Sequence, residues 1–181
     1  KLFTGSEASQ SIFIYASTDP LEAMQLNGDI IVIDEGKILQ TGSAKEVFEN
    51  PANAKVAEIT NDPAMNLNKG KIENNKLILN NDIQFNLPSD LQSMPSGDYL
   101  VGVRATDLYL DDQGFDFQVD ISEISGSETF LHLHNQDVKC IATIEGVKSY
   151  EVDEHVKINL DLSKIYLFKE SGELHYSPYQ N

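Results

Sequence analysis

The stretch SIFIYASTDPLEAMQ, residues 11–25, sets the expected fold of this chain. Its first seven residues, Ser11 to Ser17, form a short apolar run that is typical of a buried strand. Asp19 is a good helix N-cap, Pro20 suits the first turn, and Glu22 stands three residues after Asp19, as in a capping box. We therefore predict a strand and then a helix that begins at the carboxyl end of the strand.

The next residues predict two more strands. The runs DIIVI (29–33) and GKILQTG (36–42) are apolar and follow the helix almost without linkers. In open α/β sheets, ligands bind in the crevice at the carboxyl ends of the strands, where a side chain can face a phosphate. Thr18 and Asp19 occupy that place, and they are the candidate site residues.

Two short helices should follow before the pattern changes. Ser43 to Glu46 forms a second capping box, and residues 53–60 have helical spacing of apolar side chains. From Asn61 to Pro63 onward, the apolar period changes from about 3.6 to 2, which marks a change from helices to sheet. We therefore expect a domain boundary at residues 61–63.

The remaining sequence is expected to be almost all strand. Asn74-Asn75 and Asn80-Asn81-Asp82 predict two hairpins. Further strands are predicted at residues 99–104, 115–124, 129–134, 138–144, 155–160 and 165–168. Short strands at this spacing favour a closed or partly open barrel. The expected fold class is α+β, with a short α/β fragment followed by an all-β barrel domain.

Composition narrows the possible partners. The chain has 181 residues, with 13 basic and 29 acidic side chains, a net charge of −16 and a single arginine. Such a chain should repel nucleic acid and anionic membranes.

The only cysteine, Cys140, alternates with Val138 and Ala142 and is expected to be a buried strand thiol.

A family resemblance rests on motifs in both halves. The segments YASTDPLEAM (15–24), DIIVI (29–33) and GKILQTG (36–42) resemble the carboxyl-terminal part of an ABC importer ATPase of the maltose and glycerol-3-phosphate type. Later segments, GVRATD (102–107), GSET (126–129) and IYLF (165–168), resemble the oligomer-binding-fold (TOBE) regulatory domain of such subunits. The resemblance implies that residues 1–62 are a fragment of the ATPase core and residues 63–181 an OB-like regulatory domain.

The resemblance also assigns roles to the candidate site. In this family the strand ends in Thr-His-Asp, and the switch histidine senses the γ-phosphate of ATP. Ser17 and Asp19 match the outer residues, whereas Thr18 stands at the histidine position, which makes it a degenerate switch position. Thr18 has a hydroxyl that could reach a phosphate but cannot act as a cation. Alternatively, it is a strand-end residue that satisfies backbone groups beside the cap.

The chain alone should not be an ATPase. It contains no G-x-x-x-x-G-K-S/T phosphate loop, and the ABC signature loop and the Mg²⁺-binding acidic strand are also missing. The resemblance implies that ATP and Mg²⁺ act in a longer parent subunit. It also implies a second ATPase subunit and permease subunits as partners, and a cytoplasmic location at the inner face of the membrane.

Two further residue clusters and the chain as a whole have other possible functions. His132 and His134 lie on one face of a predicted strand and could bind a metal, but no third ligand is evident and a solvated face is favoured. Asp111, Asp112 and Asp116 suggest a hairpin turn rather than a calcium loop. For the whole chain, the alternative function is a stand-alone OB-fold module that binds a small ligand or an oligomer.

Overall fold

The structure is a computed structural model that describes residues 12–26, 28–80 and 83–180. This described part contains three short helices, α1 (Pro20–Gln25), α2 (Ala44–Glu49) and α3 (Ala54–Ile59). It also contains twelve strands: β1 (Asp29–Asp34), β2 (Lys37–Ser43), β3 (Asn66–Glu73), β4 (Lys76–Leu79), β5 (Ile83–Asn86), β6 (Gly97–Val103), β7 (Leu108–Ser125), β8 (Glu128–Asn135), β9 (Val138–Glu145), β10 (His155–Leu160), β11 (Tyr166–Phe168) and β12 (Leu174–Tyr176). The protein is therefore mainly β-sheet with few helices.

The helices begin at the residues that the sequence predicts. The Asp19 carboxylate accepts hydrogen bonds from the Leu21 and Glu22 amides, at 2.8 and 3.3 Å, and caps α1. Ser43 and Asn53 cap α2 and α3 in the same way. Each cap satisfies amides that have no partner within their own helix, which fixes where these short helices start.

The predicted strand at residues 11–17 is not formed. Residues 12–17 belong to no strand, Ile12 and Ile14 are 93% and 94% exposed, and Ser11 lies outside the described residues. A strand needs a neighbour that pairs with its backbone amides and carbonyls, and the nearest hairpin, β1–β2, pairs only within itself among the described strands. An apolar run alone therefore does not make a strand here.

The β1–β2 hairpin is formed as predicted. Its strands pair antiparallel, and Glu35 and Gly36 connect them with φ of 46° and 74°. Positive φ at both central residues is typical of the tight turn that matches the twist of a hairpin. On one side, Val32 packs with Val47 of α2 and Val56 of α3 in a small separate core.

Two open antiparallel sheets make up the rest of the chain. The strand orders are β10-β7-β8-β9 and β12-β11-β6-β3-β4-β5. Both sheets contribute to the main core, which includes Leu77 and Val101 from the larger sheet and Leu131 and Ala142 from the smaller one. Because each sheet keeps two edge strands, the described strands do not close into a barrel. Of the closed or partly open barrel that the sequence predicts, the closed form is not found, and two packed sheets are present.

Side-chain amides join the two sheets where a barrel would have closed. The Asn66 side chain of β3 accepts a hydrogen bond from the Ile141 amide at 2.6 Å and donates one to the Ile141 carbonyl at 2.9 Å. Asn68 donates to the carbonyl of Lys139 at 3.0 Å. β4 pairs with β3 only from Gly70 onward, so the first half of β3 faces β9. Asn66 thus supplies the donor and the acceptor that a neighbouring strand would supply.

The predicted hairpins and the predicted acidic turn have different outcomes. Asn74 and Asn75, with φ of 53° and 59°, connect β3 to β4, and β4 pairs with β5, as expected. The acidic segment 111–116 is not a hairpin turn but an outward bulge within β7. Pairing with β10 continues on both sides of it, since Ile158 faces Leu110 and Lys157 faces Asp116.

None of the helices among the described residues combines the length and the apolar character that a membrane crossing requires.

Candidate functional site

Thr18 and Asp19 lie in an exposed bend directly before α1. The Asp19 carboxylate is already engaged as the helix cap, because it accepts from two backbone amides. The Asp19 amide in turn donates to the Ser17 hydroxyl at 3.0 Å. Of Ser17, Thr18 and Asp19, Thr18 is thus the residue whose exposed side chain makes no hydrogen bond in this local network.

Glu22 does not complete the predicted capping box. Its carboxylate accepts hydrogen bonds from the Ser17 hydroxyl at 2.6 Å and from the Tyr15 hydroxyl at 2.9 Å. The hydrogen bond to Glu22 raises the pKa of Tyr15 above its usual value. These bonds fold residues 15–22 into a local loop that holds Thr18 at its tip.

Thr18 and Asp19 do not by themselves form a nucleotide site. The sequence has no phosphate loop, and Thr18 is an exposed hydroxyl next to an acidic residue that serves as a cap. A phosphate needs several converging amides or cations, and one hydroxyl does not supply them. Thr18 and Asp19 alone therefore do not account for ATP hydrolysis.

The histidines lie on the outer face of the smaller sheet, each beside a different carboxylate. His134 Nδ1 is 2.8 Å from Asp120 Oδ1, and His132 Nε2 is 3.6 Å from Glu123 Oε2. Both histidine side chains are about one-third exposed. Within residues 12–26, 28–80 and 83–180, no three His, Cys, Asp or Glu side chains are grouped as a metal site would require.

Cys140 is a buried strand thiol, as predicted. It lies on β9, and burial raises the pKa of its thiol to about 12. A thiol reacts as the thiolate, so such a shift suppresses its reactivity. Cys140 contributes to the core rather than to chemistry.

The cavity described in the main core is too small for a ligand of ordinary size. A cavity of about 30 Å³ lies in the core, with Phe85, Phe117 and Cys140 in its wall. That volume holds roughly one or two water molecules.

An open cleft with Thr106, Glu128 and Glu145 in its wall lies at the surface, and its two carboxylates disfavour anions.

Arg104 is the centre of a cluster of polar and aromatic side chains. It lies directly after β6 and is only 6% exposed. Its guanidinium donates to the Phe48 carbonyl at 2.6 Å and to Asn61 Oδ1 at 3.0 Å, with a longer contact of 3.4 Å to the Tyr179 hydroxyl. It also lies over three aromatic rings, 3.8 Å from the centroid of Phe48, 4.9 Å from that of Tyr166 and 5.6 Å from that of Tyr179. We call these five residues the Arg104 cluster.

Backbone bonds join the same two regions beside the Arg104 cluster. The Ala54 amide donates to the Gly172 carbonyl at 2.8 Å, and the Leu174 amide donates to the Ala52 carbonyl at 3.1 Å. The fully buried Ser177 hydroxyl donates to the Glu49 carbonyl at 2.7 Å. The α2–α3 region is therefore attached to the end of the chain, on the far side of the predicted boundary.

Sequence reasoning did not identify Arg104 as important. The motif GVRATD drew attention to the segment, but nothing in it shows which residues meet the side chain. A usable signal was present, since the only arginine of the chain directly follows a strand that ends in buried valines. A cation at such a position needs specific partners nearby.

Comparisons with known proteins give one consistent result. No family model matches the chain. It is 27% identical over 172 residues to the sn-glycerol-3-phosphate import ATP-binding protein UgpC of Psychromonas ingrahamii, and this match covers 90% of the chain and 45% of the relative. It is 29% identical over 168 residues to UgpC of Brucella abortus biovar 1, covering 88% of the chain and 45% of the relative.

A third relative has a different name but is also an ABC transporter ATP-binding protein. The chain is 24% identical over 170 residues to the putative uncharacterized ABC transporter ATP-binding protein YcjV of Escherichia coli K12, covering 89% of the chain and 47% of the relative. The chain thus spans about half the length of the curated relatives it matches. The resemblance predicted from the motifs is confirmed: over nearly its whole length, this chain is similar to the carboxyl-terminal part of ABC importer ATP-binding subunits.

Proposed function

We propose that this chain is the carboxyl-terminal part of the ATP-binding subunit of an ABC importer for a sugar, a polyol or a glycerol-3-phosphate-like solute. The observation that carries the proposal is the match over 88–90% of the chain to subunits that are named for import and ATP binding. The capped α1 and the β1–β2 hairpin support it, because they follow one another in the order that the motifs of residues 15–42 imply.

Within this proposal, the chain has two parts with different tasks. Residues 1–62 are a fragment of the ATPase core, and residues 63–181 form an OB-like (TOBE) regulatory domain that mediates dimerisation of the ATPase subunits. Support comes from the change of structure near residue 62, with the last α-helix before it and ten strands after it among the described elements. The small core around Val47 is also distinct from the main core between the two sheets.

Thr18 and Asp19 have separate roles in this proposal. Asp19 positions the bend by capping α1, and Thr18 occupies the switch position without the histidine. ATP and Mg²⁺ would be held by other parts of the parent subunit, because this chain has no phosphate loop. A second ATPase subunit and permease subunits are the proposed partners, and the permease would place the subunit at the cytoplasmic face of the membrane.

The test is to isolate the native assembly and measure transport. An antibody against residues 63–181 should capture, from solubilised membranes, a membrane-spanning permease and a polypeptide with ATPase activity. In proteoliposomes, the assembly should hydrolyse ATP faster when sn-glycerol 3-phosphate, a maltodextrin or a polyol is supplied with its binding protein. Capture of this protein without a permease and without ATP hydrolysis would contradict the proposal.

A further inference from the structure

The Arg104 cluster spans the boundary that the sequence predicts at residues 61–63. Phe48 and Asn61 come from the amino-terminal side of that boundary, whereas Tyr166 and Tyr179 come from the other side. Arg104 itself follows β6, at the centre of the larger sheet. One side chain thus contacts both parts of the chain.

The partners of Arg104 are polar and aromatic but not anionic. No ion pair among the described residues includes Arg104. Burial raises the pKa of the half-buried Asp107, and the nearby Arg104 guanidinium offsets only part of that rise. A buried cation without an anionic partner is costly unless its donors are satisfied. Here the satisfying groups are a backbone carbonyl, an amide oxygen and the faces of aromatic rings. Moving α2 away would remove two of these groups at once, the Phe48 carbonyl and the Phe48 ring.

We infer that Arg104 is a positioning residue that fixes α2 and β1–β2 against the two-sheet part of the chain. This inference rests on the proposed function for its meaning, since the positioned hairpin follows α1 and the bend that carries Thr18, and the positioning part is the proposed regulatory domain. A displacement of the sheets at Arg104 is passed to α2 through the Phe48 carbonyl and ring. From α2 it reaches β2, because the Gln40 side chain of β2 donates to the Asn50 carbonyl at 3.1 Å and accepts from the Ala52 amide at 2.7 Å.

Arginine suits this task better than lysine. Its planar fork can donate in different directions while its face stacks on a ring, whereas an ammonium makes point contacts only. The positioning role therefore predicts that Arg104→Lys fails to replace the native residue even though it keeps the charge.

The test is amide hydrogen exchange of the 181-residue chain, followed by mass spectrometry of peptides. In Arg104→Met, peptides from residues 29–49 should exchange about tenfold faster, because a desolvated cation–π contact and a charged hydrogen bond together exceed the free energy of a tenfold change. Arg104→Lys should accelerate the same peptides, because an ammonium cannot donate to the Phe48 carbonyl and to Asn61 while a planar face stacks on the Phe48 ring. Peptides from β7, β8 and β9 should keep their native protection. Lys139→Met, which removes an exposed cation from β9, is the matched control and should leave both regions unchanged.

Two outcomes would overturn the inference. One is equal acceleration in residues 29–49 and in β7–β9, which would mean that Arg104 stabilises the whole chain without positioning one part. The other is native protection in Arg104→Lys. If Arg104→Met does not fold, Phe48→Leu decides the question, because it removes the stacking ring and keeps the carbonyl acceptor. It should accelerate exchange in residues 29–49 only, and native protection there would overturn the inference.

This experiment is independent of the test of the proposed function. Exchange is measured without nucleotide, permease or solute, so a negative result would leave the importer assignment intact. Conversely, failure to isolate an importer would leave the exchange result valid as a statement about how the two parts are joined.

Discussion

At the scale of single residues, Thr18 is the residue that the proposed function places at the switch position of a parent subunit. Its side chain is exposed at the tip of a loop that Glu22 and Asp19 hold in place. A threonine hydroxyl carries no charge and does not exchange protons near neutral pH, unlike a histidine. The loop could therefore present a phosphate-sensing group, but the native residue is a poor one.

Substitution of Thr18 by histidine tests this idea in the complete transport assembly. We expect Thr18→His to raise the rate of ATP hydrolysis by about tenfold or more, because a positioned acid–base group contributes at least that much in other enzymes. Thr18→Ser keeps the hydroxyl and should leave the rate unchanged. An unchanged rate in Thr18→His would mean that Thr18 does not occupy a switch position.

Cys140 offers a test of core packing at the same scale. Burial raises the pKa of its thiol from 9.0 to about 12, so at pH 8 the folded chain should contain about a thousandfold less thiolate than the unfolded chain. We expect slow reaction with a thiol reagent in buffer and fast reaction in urea. Above pH 9 the unfolded thiol loses its proton while the folded thiol keeps it, so stability should fall as pH rises. Equal reaction rates in buffer and urea would show that Cys140 is accessible.

Residues whose roles depend on near neighbours in the sequence, such as helix caps, could be predicted. Contacts between residues far apart in the sequence could not. Asp19 and Ser43 cap helices because each bonds to amides two or three residues away, and such contacts are visible in the sequence. Arg104 meets Phe48 and Tyr179, which lie 56 and 75 residues away along the chain. Contacts at that separation depend on the tertiary fold, so the sequence did not predict the partners of Arg104.

At the scale of elements, the link between β3 and β9 replaces a missing backbone ladder. Asn66 is 8% exposed and bonds to both backbone groups of Ile141. Without the Asn66 side chain, two partly buried backbone groups at the edge of β9 would lose their partners.

We expect Asn66→Leu to lower the free energy of unfolding by about 2 to 6 kcal/mol, since it leaves two backbone groups unsatisfied and each costs about 1 to 3 kcal/mol. Asn68→Ser is the matched control, because its single bond to the Lys139 carbonyl is exposed and its loss should cost about 1 kcal/mol or less. Urea titration of both variants measures the difference. Equal losses in the two variants would show that the bonds of Asn66 do not hold the sheets together.

Strand periodicity predicted most elements, but not how they associate. The runs at 129–134 and 138–144 became β8 and β9 nearly as expected, because alternating apolar residues fit a sheet with one buried face. The acidic segment 111–116 carries turn residues, yet β10 pairs with β7 on either side of it, and this pairing overrides the local signal. The run at 12–17 has strand composition, but the described chain supplies no strand beside it. β12 was not predicted, because Leu174, His175 and Tyr176 do not form an apolar run like the one at residues 165–168 that predicted β11.

At the scale of the whole molecule, the chain is a mainly β structure with a small helical region attached through Arg104, Ser177 and the backbone bonds of Ala54 and Leu174. Exposed apolar side chains on the β1–β2 hairpin, Ile31, Ile33 and Ile38, suit a segment that packs against further protein. This surface agrees with the proposal that the chain is one part of a larger subunit.

The most direct measurement is the length of the endogenous protein, captured with an antibody against residues 63–181 and sequenced by mass spectrometry. The proposed function predicts one polypeptide much longer than 181 residues, with a peptide of the form G-x-x-x-x-G-K-S/T upstream of Lys1. A polypeptide of about 181 residues with no such peptide would contradict it, and would favour a module that acts without an ATPase core.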